Sequence, residues 1–445
     1  MGGLQYAALI VPVLLLLVFL EYLISKKRGV DAYSFSDTLV NICCGMIERL
    51  FDAFWVLMMY FVYGYLYENV ALWKLEELIQ MTGLPTWLAT GILFTVGLFV
   101  ADLLAYWHHR LSHEINFLWA SHIVHHQSEE LNLTTVFRVS AFAIFNRAFF
   151  FIWMPIFGFS PEITTFGTVF IGLYQFVTHS RLVGKLGIIE HFMVTPSHHR
   201  VHHARNEKYI DTNYGHVFII WDKMFGTFRV EEEEPDYGIT TGLESSSPYG
   251  AYFFYWKDMF VRARKAKNWG DKFKIFIKPP AWTPEDVGYN PDRYKVDENG
   301  NRIKYRNEMP FRLSLYVFLN VMMSLAGFLM VLTAQKSVVA DIELWTDQLL
   351  TLVSNPTVMA ISALVIFSVV SYGFLMDRKP YALKFEFLRI AIHAVVFPIL
   401  FWNHDWSLAI VGGFEVVMFI FAFWAIRMRD YFVEESVPAK ELEHA

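Results

Sequence analysis

The sequence predicts an all-α integral membrane protein, built as a multi-span helical bundle. Hydrophobic residues make up 55% of the 445 residues and charged residues only 18%, whereas soluble domains carry roughly 25% charged residues. Apolar runs long enough to cross a hydrocarbon core of about 30 Å recur along the chain. Thirteen of the 16 histidines fall between His108 and His216, and this clustering indicates a metal site in one part of the bundle.

Composition and charge exclude several other classes of protein. The apolar composition does not fit a disordered, collagenous or secreted disulfide-rich chain. The formal net charge of −6 predicts no nucleic-acid partner. Cys43 and Cys44 are the only cysteines and are adjacent in an apolar stretch, so they form neither a disulfide framework nor a CxxC metal motif.

The apolar runs predict the membrane spans in order. The first run, 6–24, is followed by Lys26, Lys27 and Arg28, and without a small-residue cleavage site we expect an uncleaved anchor. The further runs are 51–67, 87–107, 139–157, 162–178, 311–333, 358–375, 385–402 and 408–426. They give nine spans, or seven if 139–157 and 162–178 form a re-entrant hairpin.

The runs also divide the chain into five parts. These are N-terminal membrane spans (1–100), a histidine-box catalytic domain with a membrane helix pair (101–230), a cytoplasmic segment (231–310), C-terminal membrane spans (311–430) and a polar tail (431–445). The stretch 180–310 carries 20 Lys or Arg, while the predicted loops 68–86 and 334–356 carry one each. The positive-inside rule therefore predicts that the histidine boxes face the cytoplasm.

Three histidine boxes have the spacing of ligands on helices. They are HxxxH at 109–113, HxxHH at 122–126 and HxxHH at 199–203. Residues three and four apart share one face of a helix, so each box presents its imidazoles together. The predicted ligands are His109, His113, His122, His125, His126, His199, His202 and His203. Eight imidazoles exceed what one tetrahedral zinc needs, so two metals are the simplest account, although ligand type does not choose among Zn, Cu, Fe and Ni.

A metal-binding or transport protein is the non-enzymatic alternative. A transporter places its ligands near the bilayer midplane, on broken helices. The boxes lie instead at one predicted helix end and in cytoplasmic segments. This position favours an enzyme that acts on a lipid whose reacting carbon reaches the interface.

The order and spacing of the boxes resemble the fatty acid hydroxylase and sterol desaturase superfamily of membrane diiron oxygenases. The resemblance covers 102–228 and includes the segments NYG at 213–215 and WDKMFGT at 221–227. Within the superfamily the chain is most similar to the alkylglycerol monooxygenases, also called the transmembrane protein 195 type. That choice rests on Glu114 directly after the first box, on the string TPSHHRVHH at 195–203 and on the further C-terminal spans.

The resemblance implies oxygen chemistry on a lipid alkyl chain. Two Fe ions, which Zn can replace in purified protein, would activate O2. Hydroxylation next to an ether oxygen gives a hemiacetal, which separates into a fatty aldehyde and a glycerol derivative. The resemblance also implies tetrahydrobiopterin as the source of electrons, with Glu114 as the catalytic and pterin-binding carboxylate. The alternative role for Glu114 is a carboxylate that orients a histidine ligand.

One position departs from the superfamily pattern. Where many members have an additional HxxxH, this chain has QFVTH at 175–179. We infer that His179 is a ninth ligand and that Gln175 takes a catalytic place through a bound water, unless it only bonds between helices. Four residues next to the ligands are predicted to support them, namely His108, His198, Asn213 and Asp222.

The leading functional hypothesis is thus a diiron ether-lipid monooxygenase that uses O2 and tetrahydrobiopterin. The alternative is a desaturase or hydroxylase of a sterol, fatty acyl, carotenoid or aminolipid substrate, supplied with electrons by a separate redox protein. Both versions require a lipid substrate, surrounding membrane lipids and an external electron donor.

Overall fold

The computed structural model describes residues 3–243, 245–288, 303–305, 307–339, 351, 353–402 and 407–432. Within these residues the regular structure is helical, apart from the isolated bridges Met193–Phe218 and Ala204–Tyr237, so the all-α prediction is confirmed. The helices are α1 Gly3–Arg28, α2 Phe35–Asn69, α3 Leu75–Gln80, α4 Thr86–Glu114, α5 Asn116–His126, α6 Ala143–Phe151, α7 Trp153–Ile156, α8 Pro161–Thr178, α9 Pro196–His202, α10 Ile220–Phe225, α11 Pro248–Lys265, α12 Trp269–Ile277, α13 Phe311–Val339, α14 Pro356–Met376, α15 Ala382–Phe401 and α16 Ser407–Arg427.

Four helices among the described residues are long and apolar enough to cross a membrane. They are α4, α13 over Phe311–Leu332, α14, and α16 over Leu408–Arg427. This is fewer than the nine or seven spans predicted. The 20-residue helix α15 carries Lys384, Glu386 and Arg389, and these charges set it apart from its apolar neighbours.

The predicted span 139–157 is corrected by the structure. Its helical part is a short apolar stretch, Ala143–Ile156, which at 1.5 Å per residue is about 21 Å long and too short for a core of about 30 Å. Its polar groups also have partners inside the protein, because Arg147 binds Asp52 at 3.3 Å and Asn146 donates to Ser121 at 2.5 Å. The other member of the predicted membrane helix pair, α8, has 18 residues but is not among the four helices that are apolar enough to cross.

Small residues let α4 and α8 pack closely. A Cβ added at Gly167 would lie 2.7 Å from the Cβ of Ala101, and one at Gly97 would lie 2.3 Å from Cγ2 of Ile163. Approach of backbones through glycine and alanine is the usual means of helix association in a membrane. The contact brings the last turns of α4 beside the end of α8, where the candidate ligands lie.

The C-terminal helices α13 to α16 pack in sequence around a buried polar group. Arg389 and Glu386 on α15 form a fully buried ion pair at 2.6 Å. Glu386 also accepts hydrogen bonds from Tyr316 on α13 and from Ser371 on α14. Arg389 donates to Asn320 at 2.6 Å. The charged pair of α15 is thus hydrogen-bonded to both α13 and α14.

The segment 231–310 contains a helical hairpin that packs against α5. Tyr255 of α11 donates a hydrogen bond to Asn116 over 2.5 Å, and the side chain of Asn116 donates to the carbonyl of Ile275 over 2.6 Å. The backbone N–H of Asn116 donates to the carbonyl of Lys278 over 3.1 Å. The first residue of α5 is thereby fixed from both arms of the hairpin.

Candidate metal centre

Four chain segments carry the nine predicted ligands. The last two turns of α4 carry His109 and His113, α5 carries the second box, and His179 is the residue that ends α8. The third box lies on α9, a helix of seven residues. Pro196 starts α9 with its φ already helical, and the Thr195 side chain and His198 form a capping box.

The structure brings all nine histidines together in two groups. The first histidine group is His109, His113, His122, His126 and His202, and the second histidine group is His125, His179, His199 and His203. Within each group the ligand atoms lie within 4.8 Å of one another. The two groups adjoin, since the ring centroids of His126 and His203 are 4.6 Å apart. Ions held by the two groups would therefore be neighbours.

In the second histidine group the Nε2 atoms converge. The Nε2 of His179 lies 3.1 Å from that of His125 and 2.9 Å from that of His199, and the Nε2 of His203 lies 3.0 Å from that of His199. Two nitrogens at right angles on a metal about 2.1 Å away are separated by about 3.0 Å. The Nδ1 of His179 faces the carbonyl of Gln175 at 2.6 Å, so in the neutral ring Nε2 keeps its lone pair. A cation can bind all of these facing lone pairs at once. Hydrogen bonds cannot, because two lone pairs that face each other have no proton between them.

The first histidine group is oriented by the backbone behind it. Nδ1 of His109 donates to the carbonyl of Tyr214 over 2.8 Å, and Nδ1 of His202 donates to the carbonyl of Thr212 over 3.0 Å. A carbonyl only accepts, so in a neutral ring the proton is on Nδ1 and the lone pair on Nε2. The buried Nε2 atoms of both rings make no hydrogen bond within the protein. This arrangement fits the coordination of a metal through Nε2.

Burial keeps the three imidazoles of the third histidine box neutral. It lowers the pKa of His199, His202 and His203 well below the ordinary value, and the neighbouring imidazoles lower it further. Neutral imidazole is the form that binds a metal. The site is therefore composed of ligands ready to bind without first losing a proton.

Two of the four predicted supporting residues fix the chain behind the first histidine group. Asp222 accepts the backbone N–H of Tyr214 at 2.7 Å and that of Gly215 at 2.8 Å. Asn213 has a positive φ of 55°, and its side chain bonds both the N–H and the carbonyl of Arg229. These bonds hold the segment whose carbonyls orient His109 and His202.

The other two supporting candidates stand outside both groups. The His108 ring packs against Phe150 at 5.1 Å between centroids. The His198 ring accepts from the backbone N–H of Thr195 at 3.4 Å and lies beside Phe228. His198 thus acts on the start of α9, while His108 makes a packing contact.

Glu114 and Gln175 lie close to ligands in the chain but have other partners. Glu114 accepts from Arg110 at 2.8 Å, and its side chain is 43% exposed. The side-chain amide of Gln175 donates to the carbonyl of His216 over 2.8 Å. It is the backbone carbonyl of Gln175 that contacts the ring of His179. The catalytic roles of Glu114 and Gln175 stay predictions.

Sequence reasoning missed three residues at the site. Asp102 is fully buried and accepts from the backbone N–H groups of Val217 and Phe218 at 2.9 and 3.0 Å. Asp211 accepts from Nδ1 of His113 at 3.3 Å. The ring of His216 lies 4.8 Å from that of His109, and burial lowers the pKa of His216 to about 4. Asp102 could have been found from the sequence, because it is an acidic residue inside an apolar run. Asp211 and His216 belong to no sequence motif that would have indicated them.

Comparison with known proteins relates the histidine-bearing segments to one family. The fatty acid hydroxylase family model matches residues 94–227. The alkylglycerol monooxygenase of Homo sapiens is 30% identical over 427 residues, 95% of this chain and 89% of that protein. That of Danio rerio is 30% identical over 390 residues, 87% of this chain and 81% of that protein. The ornithine lipid hydroxylase OlsE of Rhizobium tropici is 33% identical over 158 residues, 33% of this chain and 45% of that protein.

No solved structure matches the chain significantly. The family match ends at residue 227 and covers the segments that carry all nine histidines of the two groups. The alkylglycerol monooxygenases extend the relationship to the C-terminal helices. The chain belongs to the fatty acid hydroxylase family, as an oxidoreductase related to the alkylglycerol monooxygenases over almost its whole length.

Proposed function

We propose that the chain is a membrane diiron monooxygenase that hydroxylates a lipid alkyl chain. With an alkylglycerol as substrate, it cleaves the ether bond to a fatty aldehyde and a glycerol derivative, using O2 and tetrahydrobiopterin. The observation that carries this proposal is the pair of adjoining histidine groups at the end of the spanning helix α4. The relationship to alkylglycerol monooxygenases supports the choice of substrate.

The protein residues supply the ligands, their orientation and the exclusion of water. The nine histidines of the two groups would hold two iron ions, which supply the activation of O2 when bound. The carbonyls of Tyr214, Thr212 and Gln175 fix the ring nitrogens that face inward. Seven of the nine rings are buried, which limits the access of bulk water to the ions that they would hold.

The depth of the site supports attack beside a headgroup. His109 and His113 lie in the last two turns of α4. Helix α4 has 29 residues, whereas about 20 span the hydrocarbon core, so we infer that these turns reach the membrane surface. The carbon bonded to an ether oxygen lies at this depth in a bilayer, and a carbon in mid-chain does not. One oxygen atom enters its C–H bond to give the hemiacetal, while the other leaves as water with two electrons and two protons from the pterin. The hemiacetal then separates without a further oxidant.

The test uses purified protein loaded with iron and supplied with an alkylglycerol, O2 and reduced pterin. We expect fatty aldehyde, trapped as a hydrazone, with one O2 consumed for each ether cleaved. The matched ester-linked glyceride should be inert, because its carbonyl carbon has no hydrogen to abstract. Absence of aldehyde from every ether lipid, together with a hydroxyl or double bond in another lipid, would overturn the ether-lipid proposal.

An aminolipid is the second candidate substrate. It is favoured by the similarity to the ornithine lipid hydroxylase, which is confined to a third of this chain. The same assay with an ornithine lipid in place of the alkylglycerol, and a redox protein in place of the pterin, distinguishes the two. A hydroxylated ornithine lipid without aldehyde from the ether substrate selects this candidate.

A further inference from the structure

The helix α12 presents an apolar face away from the protein. Trp269, Phe273 and Ile277 are 84%, 66% and 47% exposed, and their spacing of four residues places them on one side of the helix. Ile275, on the other side, is fully buried. A helix that is apolar on both sides has the composition of one that lies between a protein and a second apolar medium.

The exposed aromatic surface continues onto α11 and α6. Phe260 of α11 is 53% exposed, and its ring lies 5.5 Å from that of Phe276. Phe253, at 40% exposure, lies 5.9 Å from Phe142, just before α6. Phe253 and Phe260 are seven residues apart and so share one side of α11. We define the hairpin face as Phe253, Phe260, Trp269, Phe273 and Ile277, the exposed apolar side chains of two helices that pack against each other.

Basic residues surround this patch. Residues 257–278 contain eight Lys or Arg and two Asp, although the whole chain has a net charge of −6. Lys272 and Lys274 flank the exposed side of α12, and Nζ of Lys272 lies 5.1 Å from the centre of the Trp269 ring. Aromatic residues with flanking lysines are typical of helices that lie in the headgroup region of anionic membranes.

The hairpin lies at the level where a spanning helix ends. Helix α4 ends at Glu114. Two residues later, the N–H of Asn116 donates to the carbonyl of Lys278, the residue that follows α12. Helix α12 is thus attached beside the end of α4, a helix long and apolar enough to cross a membrane, and the same bonds attach it to α5, which carries the second histidine box.

We propose that the hairpin face is embedded in the headgroup region of the membrane face at which α4 ends, and that its partner is an anionic lipid surface. The aromatic side chains enter the bilayer, and the flanking lysines contact acidic headgroups. In this position the hairpin holds α5 and the second histidine box against the membrane surface. The proposal does not depend on the identity of the lipid substrate.

The test places one spin label on the full-length protein in lipid vesicles. Cys43 and Cys44 are buried, so the label attaches at the Cys of Phe273→Cys. We expect the label to collide more with O2, which concentrates in the bilayer, than with a water-soluble nickel complex. A label at Glu232→Cys, whose native side chain is 71% exposed on a polar loop, should show the reverse. A water-like label at residue 273 would overturn the proposal and leave an acidic protein as the occupant of the face.

A second experiment tests whether the hairpin face requires acidic headgroups. With phosphatidylserine in the vesicles, the changes Lys272→Glu and Lys274→Glu together should move the label at residue 273 toward water. In vesicles of phosphatidylcholine alone, the same changes should leave its depth unaltered. Equal depth in all four combinations would remove the anionic lipid from the proposal. As a second measurement, brominated lipids should quench less fluorescence in Trp269→Phe than in the unchanged protein.

Discussion

The backbone carbonyl of Tyr214 accepts a hydrogen bond from Nδ1 of His109 over 2.8 Å. The N–H of Tyr214 is in turn held by the carboxylate of Asp222. A carboxylate far along the chain therefore sets which nitrogen of His109 faces the other imidazoles. Contacts of this kind, behind the ligands, fix the orientation of the ligand rings and thereby raise metal affinity.

Replacement of Asp222 by Asn should weaken metal binding while the protein still folds. The amide offers one acceptor for two backbone N–H groups, so the Tyr214 carbonyl loses its fixed position. We expect a loss of about 10- to 100-fold in metal affinity, measured as metal retained against a chelator. The control, Glu207→Gln, makes the same chemical change at an exposed position and should retain metal normally. Normal retention by Asp222→Asn would show that the contact does not matter.

Substitutions in the two histidine groups should remove different ions. The unchanged protein should hold two metals, measured by mass spectrometry of the elements. His113→Ala should lose the metal of the first histidine group and His199→Ala that of the second, so each keeps one. Turnover should be abolished in both variants. A single metal in the unchanged protein, or loss of all metal in both variants, contradicts two separate ions.

Glu114→Ala should separate pterin use from metal binding. Glu114 pairs with Arg110 rather than with a ligand, so the variant should keep both metals. If the carboxylate binds pterin ring N–H donors, the apparent KM for tetrahydrobiopterin rises while metal content stays at two. The control is His202→Ala, in which metal and turnover should both fall. Equal metal loss in the two variants would assign Glu114 to the support of His113 instead.

The metal-free protein should become less stable as the pH falls below about 6.5. Burial holds the pKa of His216 near 4 and lowers the pKa of His199, His202 and His203. Between these pKa values and the unfolded value, the unfolded chain binds more protons than the folded chain, so the free energy of unfolding rises with pH and falls as the pH is lowered. The measurement is Tm by tryptophan fluorescence from pH 7.5 to 5.

A test variant and a control variant show whether the buried histidines cause this pH dependence. His203→Gln removes one buried imidazole and should flatten the decline in Tm. His191→Gln, at an exposed histidine, should follow the unchanged protein. A Tm independent of pH over this range would mean that the buried rings do not resist protonation.

Alanine should lower the stability of the protein at one glycine of α8 but not at another. The Cβ of Gly167→Ala would lie 2.7 Å from that of Ala101, whereas a Cβ at Gly172 meets nothing within 4 Å. Overpacking should cost about 1–3 kcal/mol at residue 167, lower Tm and reduce metal content, since α8 positions His179. Gly172→Ala should be neutral or slightly stabilising. Equal Tm values for both variants would disprove the close helix contact.

The sequence pattern predicts the boxes well because their geometry is local. Helical spacing is enough to place His199 and His202 on one face of α9. Their assignment to different groups was not predictable, because His202 joins His109 from a distant helix while His199 joins His179. That division depends on how α4, α8 and α9 pack, which no spacing within a box encodes.

The membrane spans show the limit of composition as a guide. The run 139–157 is apolar enough to be predicted as a span, but Arg147 pairs with acidic residues of α2 and the helix is short. The hairpin α11–α12 shows the reverse error. Its lysines predict a solvated segment, but one side of the hairpin is buried against α5. The contacts of Asp102 with Val217 and Phe218 likewise join positions that are distant in sequence.

The ion pair on α15 has a consequence for how the protein is made. Glu386 and Arg389 are three residues apart on one helix, so their charges meet before any other helix arrives. A lone charge at the centre of a helix that inserts through the translocon costs about 3 kcal/mol. Glu386 and Arg389 lie in the first half of α15, and their charges already compensate each other. Tyr316 precedes α15 in the chain, so its hydroxyl is synthesised before the carboxylate that it binds. We therefore expect the loss of either charge alone to lower the fraction of chains whose C-terminal helices insert.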